Sequence, residues 1–132
     1  LAPAAATVLL IDDDPQIHDL VGMDLQEAGY RVVSAASGAE GLRMAAEMQP
    51  AVVVLDLMMP GLSGFEVAAE LRRDVRTQGI PIVILTSKDL TAEDRQRLGD
   101  NIAALLSKAP EQRRSLRATV RQALARRAKK EA

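Results

Sequence analysis

Three short runs, VLLI at 8–11, VVVL at 52–55 and IVIL at 82–85, are unbroken stretches of β-branched residues and leucine. A strand with one wet face alternates apolar and polar side chains, whereas a strand covered on both faces reads as continuous apolar sequence. These runs therefore predict strands buried on both sides, as in a parallel sheet with helices above and below it. Their full extents read as Thr7–Ile11, Ala51–Leu55 and Pro81–Leu85. Two weaker runs, Arg31–Ala35 and Ile102–Leu106, suit the edges of such a sheet.

Helical spacing fills the gaps. Ile17, Leu20, Val21 and Leu25 share one helix face, and Gly29 follows as a stop signal. Leu42, Ala45, Ala46 and Met48 mark a second helix, ended before Pro50. Val67, Ala68 and Leu71 mark a third, leading to Gly79. Thr91–Leu98 makes a short fourth, with Thr91 as N-cap and Asp94 placed for a capping box. Leu116, Val120 and Leu124 define a fifth. Asp14 precedes Pro15, a favoured first helical residue, and reads as an N-cap rather than a ligand. Strand and helix alternating five times predict an α/β domain with right-handed crossovers. The 132 residues are enough for one such core. The domain is expected over 7–126, after an Ala/Pro linker at 1–6 and before a basic, fraying tail at 127–132.

Composition narrows the function classes. Only Tyr30 and Phe65 are aromatic, which argues against stacking on single-stranded nucleic acid. Cysteine is absent, so neither a disulfide framework nor a thiolate metal site is available. No stretch approaches the ~18 apolar residues that span a bilayer. LAPAAAT lacks both an initiator Met and a basic leader region, as expected of a piece excised from a longer cytoplasmic chain. Residues 1–110 hold 9 Lys/Arg against 16 Asp/Glu, while residues 111–132 hold 8 against 2. Those last basic residues are spread around their helix, which favours a solvated face over a nucleic-acid patch.

The polar residues fall at one edge. Asp12, Asp13 and Asp14 follow the first run, Asp56 the third, Thr86 and Ser87 the fourth, and Ser107 and Lys108 the fifth. In open parallel sheets, ligands bind beyond the carboxyl ends of the strands where strand order reverses. Carboxylates ~5 Å apart repel by about 3 kcal/mol at an effective dielectric of 20. A hard divalent cation removes that cost, and Mg²⁺ accepts one or two carboxylates together with a phosphate oxygen. Lys108 adds a point charge for phosphate, and Thr86 a hydroxyl. The set points to phosphoryl transfer onto a carboxylate, driven by positioning and charge neutralisation.

VLLIDDDP, VVVLDLMMPGLSGFEV, IPIVILTSKD and LLSKAP occur in that order. With them the chain resembles the receiver domain of bacterial two-component response regulators over roughly residues 7–126. The resemblance implies a flavodoxin-like, doubly wound five-stranded sheet of order 2-1-3-4-5. It implies that Asp56 is the phospho-acceptor, taking its phosphoryl group from a phosphohistidine on a histidine kinase or histidine phosphotransfer protein. Asp12, Asp13, Asp56 and the backbone carbonyl of Met58 would hold Mg²⁺. Thr86 and Lys108 would contact the phosphoryl group, and Pro60 and Gly64 would shape the loop after the acceptor. The readout face would be the fourth helix, fifth strand and fifth helix. TSKDLTAEDRQRLGDNIAALLSK is similar to receivers at the C-terminal end of hybrid histidine kinases, whose core would lie upstream.

Two positions depart from that pattern. Leu105 stands where the family usually has an aromatic residue, putting switching through that side chain in doubt. Ala109 follows Lys108 in place of the usual proline. A cis bond there would cost ~2.5–4 kcal/mol, so a trans bond and an altered loop are expected. His18, the only histidine, reads as a surface residue, and Met58 and Met59 as packing. Two other functions compete. Asp12 and Asp14 superficially fit the Asp-x-Asp of haloacid-dehalogenase-like phosphohydrolases, although Asp100 is then the only late acid of that set. A pseudo-receiver that docks without accepting phosphate is the other, and the full acid set argues against it.

Overall fold

In a computed structural model, residues 5–99 and 102–131 are described, the last four by backbone alone. The strands β1 (Thr7–Ile11), β2 (Arg31–Ala35), β3 (Val52–Leu55), β4 (Ile82–Thr86) and β5 (Ile102–Ser107) form one parallel sheet. Its order is β2-β1-β3-β4-β5. The two weak runs are the edges, and the three continuous ones lie inside. The inner strands alternate between two cores. Leu9, Ile11, Val53, Leu55, Ile82 and Ile84 face one, and Val8, Leu10, Val52, Val54, Val83 and Leu85 face the other. Each fully buried side chain of this size contributes about 1.5–3 kcal/mol relative to exposure.

The helices α1 (Pro15–Glu27), α2 (Gly38–Met48), α3 (Gly64–Arg73) and α4 (Ala92–Leu98) start at side-chain caps on Asp14, Ser37, Ser63 and Thr91. α2 ends at Gln49, whose φ of 51° turns the chain toward Pro50. Ile17, Val21 and Leu25 of α1 meet the second core, while Phe65, Val67, Ala68 and Leu71 of α3 fill the first.

One feature differs from expectation. Five helices are predicted, and six form among the described residues. The additional one is a single turn, α5 (Pro110–Arg113), ahead of α6 (Leu116–Glu131). Pro110 begins it because its fixed φ suits a first helical position. Gln112 then accepts the Ser107 N–H at 2.7 Å, closing the turn onto β5. α6 runs on through the basic tail to Glu131. Arg127 donates to the carbonyls of Pro50 and Ala51 at 3.3 and 3.0 Å, tying the helix to the start of β3. Residues 1–4 of the expected linker, the side chains of 128–131, Asp100 and Ala132 lie outside the described residues. All described peptide bonds are trans, that between Lys108 and Ala109 included.

Gly64 and Gly41 make different close approaches. A Cβ on Gly64 would stand 2.1 Å from the Asp56 carbonyl oxygen and 2.6 Å from the Leu57 Cα, both backbone atoms. A Cβ on Gly41 would meet the Ile11 Cδ1, Cγ1 and Cγ2 at 2.5, 2.8 and 3.0 Å, all atoms of one side chain and none of them backbone. Gly64→Ala is therefore expected to cost about 3 kcal/mol and Gly41→Ala about 1 kcal/mol. Urea denaturation measures both, and equal losses would contradict the distinction.

Candidate functional site

The site begins where two buried strands stop. Ile11 and Leu55 are partners in the β1–β3 ladder, so the residues after them emerge together at the carboxyl edge. The Asp56 N–H still donates to the Ile11 carbonyl at 3.0 Å, and the Asp12 N–H to the Ala35 carbonyl at 3.1 Å. The sheet thus fixes both backbones. Asp12 and Asp56 are only 1% and 3% exposed, while Asp13 is exposed. One carboxylate oxygen from each of the three lies within 4.8 Å of the others.

Lys108 stands between the two buried acids. Its Nζ is 2.8 Å from Asp12 Oδ2 and 3.2 Å from Asp56 Oδ2. β5 delivers it, and its N–H donates to the Thr86 carbonyl at 3.0 Å as an extension of the β4–β5 ladder. Burial pushes the Asp12 pKa above the ordinary carboxylate range, and the Asp56 charge adds to that push. Hydrogen bonds from Lys108 and from the Asp14 N–H oppose it without cancelling it. Burial acts against the Lys108 ammonium, but its bonds to Asp12 and Asp56 and their charges outweigh burial and raise its pKa. Three carboxylates and one ammonium leave a net deficit of two positive charges. The donor set is all oxygen, clustered and acidic, which fits a hard divalent cation.

The other predicted residues take distinct positions. The Met58 N–H donates to Asp56 Oδ1 at 3.2 Å, orienting that carboxylate. Met59 packs into the core, whereas Met58 is 55% exposed, so the packing expectation holds for only one of the pair. Gly61, in the same loop, has a φ of 75°, a left-handed conformation that suits glycine. Pro60 is exposed on that loop, and Gly64 brings α3 against the Asp56 backbone. Asp14 caps α1, accepting the Gln16 N–H at 2.9 Å, as its place before Pro15 predicts. Thr86 is the last residue of β4 and is buried, and its hydroxyl accepts the Lys88 N–H at 3.3 Å. Ser87 is exposed.

His18 is not the surface residue the sequence suggests. It is half-buried, with Nε2 2.6 Å from the Asp12 carbonyl oxygen. Lys88 is a second residue missed. Its Nζ lies 2.9 Å from Asp94 Oδ2 at the start of α4. The signal for His18 was its place one turn into a helix capped at Asp14, since helical side chains tilt toward the N-terminus.

Residues 8–121 match the family model for the response regulator receiver domain. The chain belongs to the response regulator receiver domain family. It is 49% identical over 80 residues to the DNA-binding dual master transcriptional regulator RpaA of Synechocystis sp., covering 61% of this chain and 33% of RpaA. It is 36% identical over 121 residues to the response regulator Rre1 of Synechocystis sp., covering 91% of this chain and 52% of Rre1. The chain thus spans a third to a half of these two relatives. Among solved structures, the chemotaxis protein CheY4 of Vibrio cholerae superposes with a TM-score of 0.81 at 32% identity, over 91% of this chain and 99% of CheY4. The sheet order is that of the flavodoxin-like, CheY-like receiver fold, in a family that signals rather than turns over substrate.

Removing the ammonium tests the electrostatics of this receiver domain. Lys108→Met leaves two buried carboxylates facing each other and should cost the metal-free domain about 3 kcal/mol at neutral pH. Asp12 has a raised pKa when folded, so the folded state binds its proton more readily than the unfolded chain. The stability this contributes is full below the unfolded pKa and is lost as pH rises through the folded one. The deficit of the variant should therefore shrink on acidification into the carboxylate range. Chemical denaturation across pH measures it, and a pH-independent deficit would contradict the ion-pair account.

Proposed function

We propose that this receiver domain accepts a phosphoryl group on Asp56 from a phosphohistidine, and that it switches between inactive and active states in a two-component or phosphorelay system. The observation that carries this reading is the buried Asp56 carboxylate, held 3.2 Å from the Lys108 ammonium within the three-acid cluster. A carboxylate oxygen of Asp56 attacks phosphorus as the N–P bond of the donor breaks, and the donor imidazole leaves with the electron pair. Lys108 offers its N–H groups to the phosphoryl oxygens, a role suited to a point charge. Thr86, on the strand next to Asp56, supplies a hydroxyl to the same group.

Asp12, Asp13, Asp56 and the Met58 carbonyl would hold Mg²⁺. When bound, the ion neutralises the acid cluster and the charge developing on the transferring group. The donor is a histidine kinase or a histidine phosphotransfer protein. The domain is taken as 7–126, flanked by linker and basic tail, in the cytoplasm, either standing alone or as the receiver of a hybrid histidine kinase. Neither nucleic acid nor membrane is assigned to this domain, and no described helix is long and apolar enough to cross a membrane.

Phosphorylation would bias an existing equilibrium through new contacts to Thr86 and Lys108. Leu105 packs against the core with Leu90 and Ile102, so it offers no hydroxyl or ring edge to such a switch. The Thr86 hydroxyl, by contrast, is bonded to the loop that carries Lys88. That favours a readout through the β4–α4 loop.

With a small-molecule phosphoryl donor and Mg²⁺, the wild-type chain should gain the mass of one phosphoryl group, and Asp56→Asn should not. EDTA should suppress the gain in the wild type. Phosphorylation of Asp12 instead would favour the phosphohydrolase reading, and a wild type that never takes up phosphate would favour the docking pseudo-receiver.

A further inference from the structure

We infer that His18 is a positioning residue for the acid pair, holding the peptide plane that joins Asp12 to Asp13; the inference rests on the Mg²⁺ reading of the site. A carbonyl oxygen only accepts, so the 2.6 Å contact to the Asp12 oxygen makes His18 Nε2 the N–H donor. Nδ1 is buried without a partner and keeps its lone pair. Leaving a lone pair unmatched inside a protein costs less than leaving an N–H unmatched.

The main chain of Asp12 is thereby gripped from both sides. Its N–H is held by the Ala35 carbonyl at 3.1 Å and its C=O by His18. The peptide unit is planar, so fixing the Asp12 C=O also fixes the Asp13 nitrogen and Cα. The two acids differ in what else holds them. The Asp12 carboxylate bonds Lys108 at 2.8 Å and the Asp14 N–H at 2.9 Å. The Asp13 side chain is exposed and enters no hydrogen bond or ion pair among the described residues. With no side-chain partner among the described residues, the Asp13 carboxylate is placed only through its backbone, and His18 holds the near side of that backbone. Residues that orient metal ligands in this way typically change metal affinity 10–100-fold when removed.

His18→Leu removes the donor, and His18→Gln places an amide N–H at similar reach. His18→Asn is equally polar but one bond too short, and it keeps the comparison open should the leucine variant fail to fold. Mg²⁺ affinity of the unphosphorylated chain is measured by calorimetry. Thermal midpoints in EDTA report folding, and the ¹H–¹⁵N spectrum of the single imidazole reports its tautomer. The expected result is an Nε2–H tautomer in the wild type and Mg²⁺ binding at least about tenfold weaker in the leucine and asparagine variants, with most of the affinity regained in the glutamine variant. Wild-type affinity in the leucine or asparagine variant, or a glutamine variant as weak as either, would overturn the inference and leave the Mg²⁺ reading intact. A wild type that does not bind Mg²⁺ would overturn that reading, and the inference with it.

Discussion

One ammonium stands between two carboxylates that water hardly reaches. Lys108 Nζ touches both Asp12 and Asp56, and each partner comes from a different strand end. Such a pair of buried acids would repel by several kcal/mol at low effective dielectric without a cation between them. The ammonium offsets part of that and leaves a deficit. Burial is the main reason the Asp12 pKa stays raised, and the Asp56 charge adds to it, although Lys108 and the Asp14 N–H both pull it down. A site in this condition holds a standing preference for additional positive charge. Such a preference fits the divalent ion proposed for this site.

The sheet makes this arrangement affordable. Asp12 and Asp56 are the first residues past the β1–β3 ladder, so their backbones are already hydrogen-bonded before any side chain is placed. Rigidity at that edge comes from the continuous apolar runs, which commit both faces of the inner strands to cores. Gly64 completes the support by letting the start of α3 approach the Asp56 carbonyl more closely than any Cβ would allow. Packing, ladder and the close approach of α3 all converge on the Asp56 backbone.

How much of this was legible in the sequence follows from the same physics. Uninterrupted β-branched runs report a two-sided environment, so strands, edges and sheet direction could be read from VLLI, VVVL and IVIL. Parallel strands share a carboxyl edge, so the polar residues after each run had to gather there. Asp14, Thr91 and Asp94 were readable as caps because capping is a local matter of a few residues. What escaped depended on distant contacts or on geometry at a helix end. The turn at Pro110–Arg113 is too short for any periodicity. The contact between α6 and the start of β3 runs through Arg127 to the carbonyls of Pro50 and Ala51, 77 and 76 residues away in the chain. His18 looked superficial because its partner is a backbone oxygen, which leaves no trace in the pattern of side chains.

Leu105 and Lys88 bear on how a change at the acceptor would leave the site. A leucine on β5 is held by packing alone, and packing has no direction by which to follow a hydroxyl. Lys88 is held by direction at both ends. Its N–H is bonded to the Thr86 hydroxyl, and its Nζ is paired with Asp94, which also closes the capping box of α4 with Thr91. The Thr86 hydroxyl cannot move away from Lys88 without giving up that bond. Lys88 in turn cannot shift far without loosening an acid on which the first turn of α4 depends. An N-cap of this kind is worth about 1 kcal/mol. That is a sizeable part of what holds a seven-residue helix, and the Lys88–Asp94 pair links the loop after Thr86 to the start of that helix.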